Sequence, residues 1–110
     1  MTSKAKGYRV ERKIRMEFEK RGWLVVRAGA SLGDADLICL KDGKCLLVQV
    51  KSTKKDALYY YGPIKGEIAG FPYILVVDFG YGTIRVTKPK RKILRTSGIS
   101  LEEFLEEKNK

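Results

Sequence analysis

Apolar and polar positions form their clearest pattern between residues 35 and 51. Two apolar runs, Ala35 to Lys41 and Lys44 to Lys51, stand on either side of Asp42-Gly43. An Asp-Gly pair between two such runs predicts a β-hairpin with a two-residue turn. The sequence therefore predicts a hairpin whose open end lies at residues 35–36 and 49–51.

The register of this hairpin brings three polar side chains together at its open end. Counting outward from the turn puts Leu40 opposite Cys45 and Asp36 opposite Gln49. Since side chains alternate between faces along a strand, Asp36, Gln49 and Lys51 share one face. A carboxylate, an amide oxygen and an ammonium group are then neighbours.

Away from its open end, the predicted hairpin is apolar on both faces. One face carries Leu37, Cys39, Leu46 and Val48, and the other carries Ile38, Leu40, Cys45 and Leu47. A two-sided apolar hairpin is typical of the centre of a sheet that is covered on both sides.

Helical and strand patterns flank the hairpin. Gly7 to Gly22 predicts a helix with an apolar stripe at four-residue spacing, and Trp23 to Val26 predicts a short strand. Pro63 to Gly70 suggests a short helical turn. Residues 73–79 and 83–88 predict a second hairpin, and residues 100–108 a helix that opens with a Ser-x-x-Glu capping box. Met1 to Lys6 is a basic tail, which we expect to be mobile.

Together these elements predict an α/β fold. We expect one small domain over residues 1–110, with a central mixed β-sheet flanked by helices, because a chain of 110 residues can bury one core but not two.

The charge balance favours a polyanionic partner. The chain carries 23 Lys and Arg against 13 Asp and Glu, a net charge of +10, and nucleic acid is the partner most consistent with this excess. A basic protein that simply stays soluble is the alternative, and charge alone does not separate the two.

The composition also excludes several kinds of site. The chain has no histidine, which excludes Ser-His-Asp triads and imidazole metal sites. Cys39 and Cys45 are too few for a four-cysteine site, and their opposite faces argue against a disulfide between them. With no signal peptide and no long apolar run, we expect a soluble protein of the cytoplasm, or of the host cytoplasm if it is viral.

The polar cluster at the hairpin end suggests a metal-dependent nuclease. Mg²⁺ binds oxygen ligands, and a nearby lysine can activate water or stabilise charge on a phosphate. The alternative is that Asp36 ends a loop while Gln49 and Lys51 mark a strand emerging into solvent. The register favours the nuclease interpretation.

Further candidates lie upstream of the hairpin. Glu11 stands beside the apolar stripe of the first predicted helix, between Arg9 and Arg12, which suit phosphate binding. Arg27 and Ser31 bracket a small-residue loop from residue 28 to residue 34. Ser31 is as well explained by a turn as by a bond to phosphate or to a metal-bound water.

These residues together resemble one known family. The resemblance rests on Gly7-x-x-x-Glu11-Arg12, on Val25-Val26-Arg27-Ala28-x-x-Ser31, on Ala35-Asp36-Leu37-Ile38 and on Gln49-Val50-Lys51-Ser52. The order and spacing are similar to those of the archaeal-type Holliday junction resolvases (Hjc-like) of the PD-(D/E)XK nuclease superfamily. The resemblance covers about the first half of the chain, with a looser similarity near residues 98–102.

The resemblance implies a homodimer that binds a four-way DNA junction and nicks opposing strands with Mg²⁺, for which Mn²⁺ can substitute. It implies catalytic roles for Glu11, Ser31, Asp36, Gln49 and Lys51. It implies a metal held by Glu11, Asp36, Gln49 and the Val50 carbonyl. It implies contacts from Arg9, Arg12 and Arg27 to the DNA backbone, and we expect Ser31, Lys54 and Lys55 to contact DNA as well.

The chain departs from the family pattern at three points. Gln49 stands where the family usually has an acid, which predicts weaker metal binding or a preference for Mn²⁺. Ala35 replaces the usual proline. The segments from Ser31 to Asp36 and from Tyr61 to Tyr73 are short, which affects the expected dimer surface.

Two other functions remain open at this point. One is a general nuclease with the same core, and the other is a non-catalytic junction- or DNA-binding module, for which Gln49 is the supporting feature. Three consecutive tyrosines, Tyr59 to Tyr61, suit base stacking, but an alternation between core and interface is the more common arrangement.

Overall fold

The computed structural model describes residues 3–28 and 35–108. Within these ranges the chain forms two helices and nine strands. In chain order they are α1 (Ser3–Glu19), β1 (Leu24–Arg27), β2 (Leu37–Lys41), β3 (Lys44–Ser52), β4 (Ala57–Tyr59), β5 (Glu67–Ile68), β6 (Phe71–Asp78), β7 (Ile84–Thr87), β8 (Lys92–Leu94), β9 (Ile99–Ser100) and α2 (Leu101–Lys108).

The main sheet has the strand order β1-β2-β3-β6-β7-β9, and β5 pairs with β6. The β3–β6 pair is parallel, whereas the other pairs are antiparallel. A second, two-stranded sheet joins β4 to β8. The predicted α/β fold with a central mixed sheet is therefore confirmed.

The β2–β3 hairpin has the predicted turn and register. Asp42 and Gly43 have φ angles of 48° and 78°, which is the left-handed backbone that a two-residue hairpin turn requires. Leu40 pairs with Cys45, as counted from the sequence. The pairs farther from the turn keep the same register, so the open end of the hairpin lies at the residues that the sequence predicted.

Both helices pack on the same face of the main sheet. Their buried side chains meet one face of β2, β3 and β6 in a single core. Its fully or largely buried members include Ile14, Phe18, Trp23, Leu37, Cys39, Leu46, Val48, Val76, Leu101 and Leu105. The prediction of a cover on both sides is only partly right, because no helix of the described chain covers the opposite face.

The small β4–β8 sheet and its neighbours cover part of that opposite face. Tyr60 and Ile93 pack there against Leu75, Val77 and Phe79, the outward side chains of β6 and the residue after it. Within the described residues, this cover does not reach β1, at the other edge of the sheet. On this face the side chains of β2 cover those of the paired strand β1 only in part. Leu24 is therefore 63% exposed and Val26 44% exposed.

The two cysteines are free, as predicted. Cys39 lies in the helix-side core, whereas Cys45 is only partly buried on the opposite face. Burial, followed by the nearby Cys45, raises the pKa of the Cys39 thiol to about 12. Cys39 is therefore a small buried hydrophobe rather than a reactive group.

Two local predictions need correction. α1 begins at Ser3 rather than Gly7. The segment from Pro63 to Gly70 is not helical; it contains β5, which turns into β6 through Ala69 and Gly70 at φ 54° and 84°. In addition, β8 was not predicted, because its partner β4 is too distant in sequence for a local pattern to reveal the pairing.

The predicted cap at the start of α2 is confirmed, whereas α1 ends at Glu19, before the predicted end at Gly22. Ser100 Oγ accepts the backbone N–H of Glu103 at 3.1 Å, which is the capping box at the start of α2. Gly22, at φ 87°, lies in the turn that follows α1. Over the described residues, neither helix has the length and apolar character needed to span a bilayer.

Candidate active site

Asp36 lies immediately before β2 and is held by its backbone on both sides. Its N–H donates to the Val48 carbonyl at 2.8 Å, and its own carbonyl accepts the Ala28 N–H at 2.9 Å. These bonds connect Asp36 to β3 and to the residue that follows β1. The carboxylate is consequently fixed at the open end of the hairpin.

The Asp36 side chain accepts two hydrogen bonds from β3. Its Oδ2 accepts the Val50 backbone N–H at 2.8 Å and the Gln49 side-chain N–H at 3.0 Å. Gln49 is only 8% exposed. The sequence correctly placed Asp36 beside Gln49, but the amide nitrogen of Gln49, rather than its oxygen, faces the carboxylate.

The electrostatics of Asp36 are those of a partly buried acid near a second acid. Burial raises the pKa of Asp36, and the negative charge of Glu11 adds to that rise. The Val50 N–H and the charges of Lys51 and Arg27 act in the opposite direction. Glu11 and Asp36 are therefore close enough to repel each other, which is the condition under which a bound cation is stabilising.

Glu11 reaches the site from α1 as part of an ion pair. Its Oε1 accepts the Nε–H of Arg27 at 2.6 Å, and the Glu11 side chain is 17% exposed. The hydrogen bond to Glu11 raises the pKa of Arg27. The guanidinium also lies 5.1 Å from the centre of the Tyr8 ring, so two α1 residues fix its position.

Lys51 is exposed at the end of β3, where it lines a cleft of about 310 Å³ together with Gln49. The opposite wall is formed by residues 58–62. Tyr60 is buried at 3% exposure, whereas Tyr59 and Tyr61 are 55% and 80% exposed. The tyrosine run therefore alternates between core and surface.

The structure brings some of the predicted residues together, places others on the exposed surface and leaves one undescribed. Asp36, Gln49, Val50, Lys51, Glu11 and Arg27 meet at the end of the hairpin. Arg9, Arg12, Lys54 and Lys55 are exposed on α1 and after β3. Ser31 lies outside the described residues.

Sequence reasoning missed the polar group behind Gln49. The Tyr73 hydroxyl donates to Gln49 Oε1 at 3.5 Å and lies 2.8 Å from the Tyr60 hydroxyl. The parallel pairing of β3 with β6 brings Tyr73 next to Gln49. No local pattern reveals that pairing, because the two strands are far apart in the chain.

The donor set fits a divalent cation with few charged ligands. Two carboxylates, an amide and a backbone carbonyl offer the oxygen atoms that Mg²⁺ prefers. Among the described residues, no group of three or more His, Cys, Asp or Glu side chains could hold a metal. A cation here would rely on Asp36 and Glu11 for charge and on neutral oxygens for the remaining protein ligands.

A mixed sheet carrying an acid, an amide and a lysine at the end of a hairpin defines a small α/β nuclease. The model of the family described as archaeal Holliday junction resolvase (Hjc) matches residues 2–71, more than half of the 110 residues. The chain belongs to this family, and its function is that of a Holliday junction resolvase.

A solved structure from Archaeoglobus fulgidus supports the fold. It is described as Hjc, a Holliday junction resolvase from an archaeal hyperthermophile, and it matches with a TM-score of 0.69. The two chains are 19% identical, and the match covers 92% of this chain and 96% of the other. At this identity the likeness shows the fold alone.

Proposed function

We propose that this resolvase is a Mg²⁺-dependent endonuclease that makes paired nicks in opposing strands of a four-way DNA junction, with Mn²⁺ able to substitute. The observation that carries the proposal is the coupling of Asp36 and Glu11. Burial and then the negative charge of Glu11 raise the pKa of Asp36, so these two carboxylates form a site that a divalent cation stabilises.

Asp36 and Glu11 are the charged ligands in this proposal, with the Gln49 amide oxygen and the Val50 carbonyl as neutral ligands. This assignment is supported by the positions of the residues at the open end of the hairpin, where Gln49 and Val50 both donate to the carboxylate of Asp36. When bound, Mg²⁺ would lower the pKa of water and neutralise charge on the scissile phosphate.

Lys51 and Arg27 have separate roles in the proposed site. Lys51 lies on the face of β3 that carries Gln49 and lines the adjoining cleft, so its ammonium group can orient water or balance charge on the phosphate. Arg27 is half exposed and oriented by Glu11 and Tyr8, which suits a contact to the DNA backbone. A role for Ser31 stays a prediction.

Basic side chains around the site supply the affinity for the junction in this proposal. The exposed positions concerned are Arg9, Arg12, Arg27, Lys54 and Lys55. Their contacts to phosphate carry no sequence information, so selectivity for the junction would come from its shape and from the separation of two sites.

Two sites require two copies, and we propose a homodimer that uses the uncovered face of β1 and β2. This face, the β1–β2 patch, consists of Leu24, Val26, Ile38 and Leu40. Leu24 and Val26 are exposed and their partners Leu40 and Ile38 only partly buried, which is unusual for a row of four apolar side chains. A second copy that covers the patch would give paired, symmetric nicks.

The proposal is tested with an end-labelled four-way junction and a linear duplex of matched sequence. The native chain is incubated with each in Mg²⁺, in Mn²⁺ and in EDTA. Symmetric nicks in the junction alone, only with metal, are the expected result. Equal cutting of both substrates would indicate a broader nuclease, and tight binding without cutting would indicate a binding module.

A further inference from the structure

A buried chain of hydrogen-bonded polar groups runs from the candidate metal site along the face of the sheet that lies opposite the helices. The Tyr60 and Tyr73 hydroxyls are 2.8 Å apart, and the Tyr73 hydroxyl donates to Gln49 Oε1 at 3.5 Å. Gln49 then donates from Nε2 to Asp36 Oδ2 at 3.0 Å. Tyr60, Tyr73 and Gln49 are 3%, 0% and 8% exposed, so water has little access to their polar atoms.

The direction of the Gln49 amide follows from what its neighbours can do. An ionised carboxylate only accepts hydrogen bonds, so Asp36 faces the nitrogen end of the amide. The oxygen end therefore faces Tyr73. In this orientation Gln49 supports Asp36 as a donor, and its oxygen atom does not face the carboxylate.

A metal bound at Asp36 would need the oxygen end of the Gln49 amide. An amide binds a cation through oxygen, so Gln49 must turn its amide plane to become a ligand. The turn would direct the Nε2 donor toward Tyr73, in a place where an unsatisfied N–H is costly. A hydroxyl both donates and accepts, so Tyr73 can receive that N–H while it donates to Tyr60.

We propose that Tyr73, backed by Tyr60, is a positioning residue that enables a glutamine to serve as metal ligand at this site. Without metal, Tyr73 donates to the Gln49 oxygen; with metal, it accepts from the Gln49 nitrogen. This inference rests on the proposed metal site. It concerns position 49, where this chain carries an amide in place of the acid that the resemblance predicts.

Tyr60 is itself held in a defined place. Arg91 donates from Nη1 to the carbonyls of Tyr60 and Gly62, both at 2.9 Å, and the Tyr60 N–H donates to the Arg91 carbonyl at 2.9 Å. A Cβ added at Gly62 would collide with the Tyr60 hydroxyl and ring. Gly62→Ala therefore displaces the end of the polar chain without altering any of its members.

The test measures Mn²⁺ binding to the full chain without DNA, by titration calorimetry or by the Mn²⁺ electron paramagnetic resonance signal. Tyr73→Phe should weaken binding roughly tenfold in the native background, as loss of a group that orients a metal ligand does. Tyr60→Phe and Gly62→Ala should weaken it in the same direction. Tyr81→Phe, which removes a hydroxyl from a 92% exposed tyrosine, is the matched control and should leave it unchanged.

A second background separates positioning from a general structural role. With Gln49→Glu, both ends of the side chain accept, so Tyr73 donates with or without metal and no turn is needed. Tyr73→Phe should then change Mn²⁺ affinity less than about twofold, well below the effect of a lost orienting group. Equal losses in the two backgrounds would overturn the proposal, as would a native chain that binds no Mn²⁺.

The outcomes also distinguish this inference from the proposed function. If the expected Mn²⁺ pattern is found but no junction is nicked, the positioning role stands and the activity fails. If the junction is nicked with metal but Tyr73→Phe binds Mn²⁺ like Tyr81→Phe, the activity stands and the positioning role fails. Should Tyr73→Phe not fold, Tyr60→Phe and Gly62→Ala decide by the same comparison.

Discussion

The side-chain amide of Gln49 donates to Asp36 Oδ2 over 3.0 Å, across the open end of the β2–β3 hairpin. The Val50 N–H donates to the same oxygen at 2.8 Å. One carboxylate oxygen thus receives two hydrogen bonds from consecutive residues of β3. The central acid of the site is oriented before any ligand arrives, which is what a catalytic group requires.

When no metal is bound, the negative charge of Asp36 should make the folded chain less stable than a chain with a neutral side chain at this position. Burial and Glu11 raise the pKa of Asp36 above its ordinary value of 3.8, so the folded chain binds more protons than the unfolded chain as pH rises from that value. The free energy of unfolding therefore falls through this window as pH rises. Asp36→Asn removes this dependence while its side-chain oxygen can still accept the Val50 N–H.

Thermal unfolding in EDTA from pH 3.5 to pH 7 would check this prediction. We expect Asp36→Asn to melt above the native chain at pH 7, with the difference shrinking toward acid pH. Addition of Mg²⁺ should stabilise the native chain more than the variant, because ligands that bind the folded state stabilise it. A variant that melts below the native chain across the whole range would contradict the electrostatic account.

The start of β9 should depend on glycine at position 98. Gly98 has φ 61°, and a Cβ there would collide with the Val86 carbonyl oxygen. Gly43, at φ 78°, has open space around it, so Gly43→Ala carries only the backbone strain of about 1 kcal/mol. Gly98→Ala should exceed that cost by about 1–3 kcal/mol, the usual range for overpacking.

Urea unfolding of the two alanine variants measures this difference directly. Both substitutions add the same methyl group to a left-handed glycine, so the strain largely cancels in the comparison. Equal losses of stability would show that β7 can move away from position 98.

The lysines after β3 should set part of the salt dependence of DNA binding. Lys54 and Lys55 are exposed near Lys51, and each phosphate contact contributes about one unit to the slope of log affinity against log salt. Replacing both with Gln should therefore lower the slope by about two units. Lys44→Gln, at the turn end of the same strand, is the matched control.

Fluorescence anisotropy of a labelled junction at several NaCl concentrations gives these slopes. The native chain and Lys44→Gln should be parallel, and the double variant should be shallower. If Lys44→Gln reduced the slope as much as a residue of the proposed DNA surface does, the location of that surface would be wrong.

The proposed dimer should depend on the β1–β2 patch. Leu24→Asp places a charge on a side chain that is 63% exposed, so the fold should tolerate it while a copy packed on the patch would not. Sedimentation equilibrium should show the native chain as a dimer and this variant as a monomer. Tyr81→Asp, at a 92% exposed position between β6 and β7, should stay dimeric. A Leu24→Asp dimer as tight as the native one would place the interface elsewhere.

The parts of the fold that the sequence predicted correctly are those set by neighbours in the chain. The Asp42-Gly43 turn fixed the hairpin register, and that register placed Asp36 beside Gln49. The capping box at Ser100 likewise depends on residues three apart. Such patterns are local, so the sequence alone is sufficient to identify them.

The contacts that the sequence did not predict join distant segments. The β4–β8 pair joins strands more than thirty residues apart, and the Tyr73 bond to Gln49 depends on the parallel β3–β6 pair. The direction of the Gln49 amide follows from Asp36, whose carboxylate only accepts hydrogen bonds. Periodicity predicted that Gln49 would face Asp36, but it did not indicate which end of the amide would do so.

The most direct test of the central claim is single-turnover nicking of a four-way junction by the native chain, Asp36→Ala and Asp56→Ala in Mg²⁺. Asp56 is the matched control, because its side chain is 96% exposed and pairs with Arg95 at 2.9 Å rather than with the site. The account predicts paired nicks by the native chain and by Asp56→Ala, and none by Asp36→Ala. Nicking by Asp36→Ala at the native rate would contradict it.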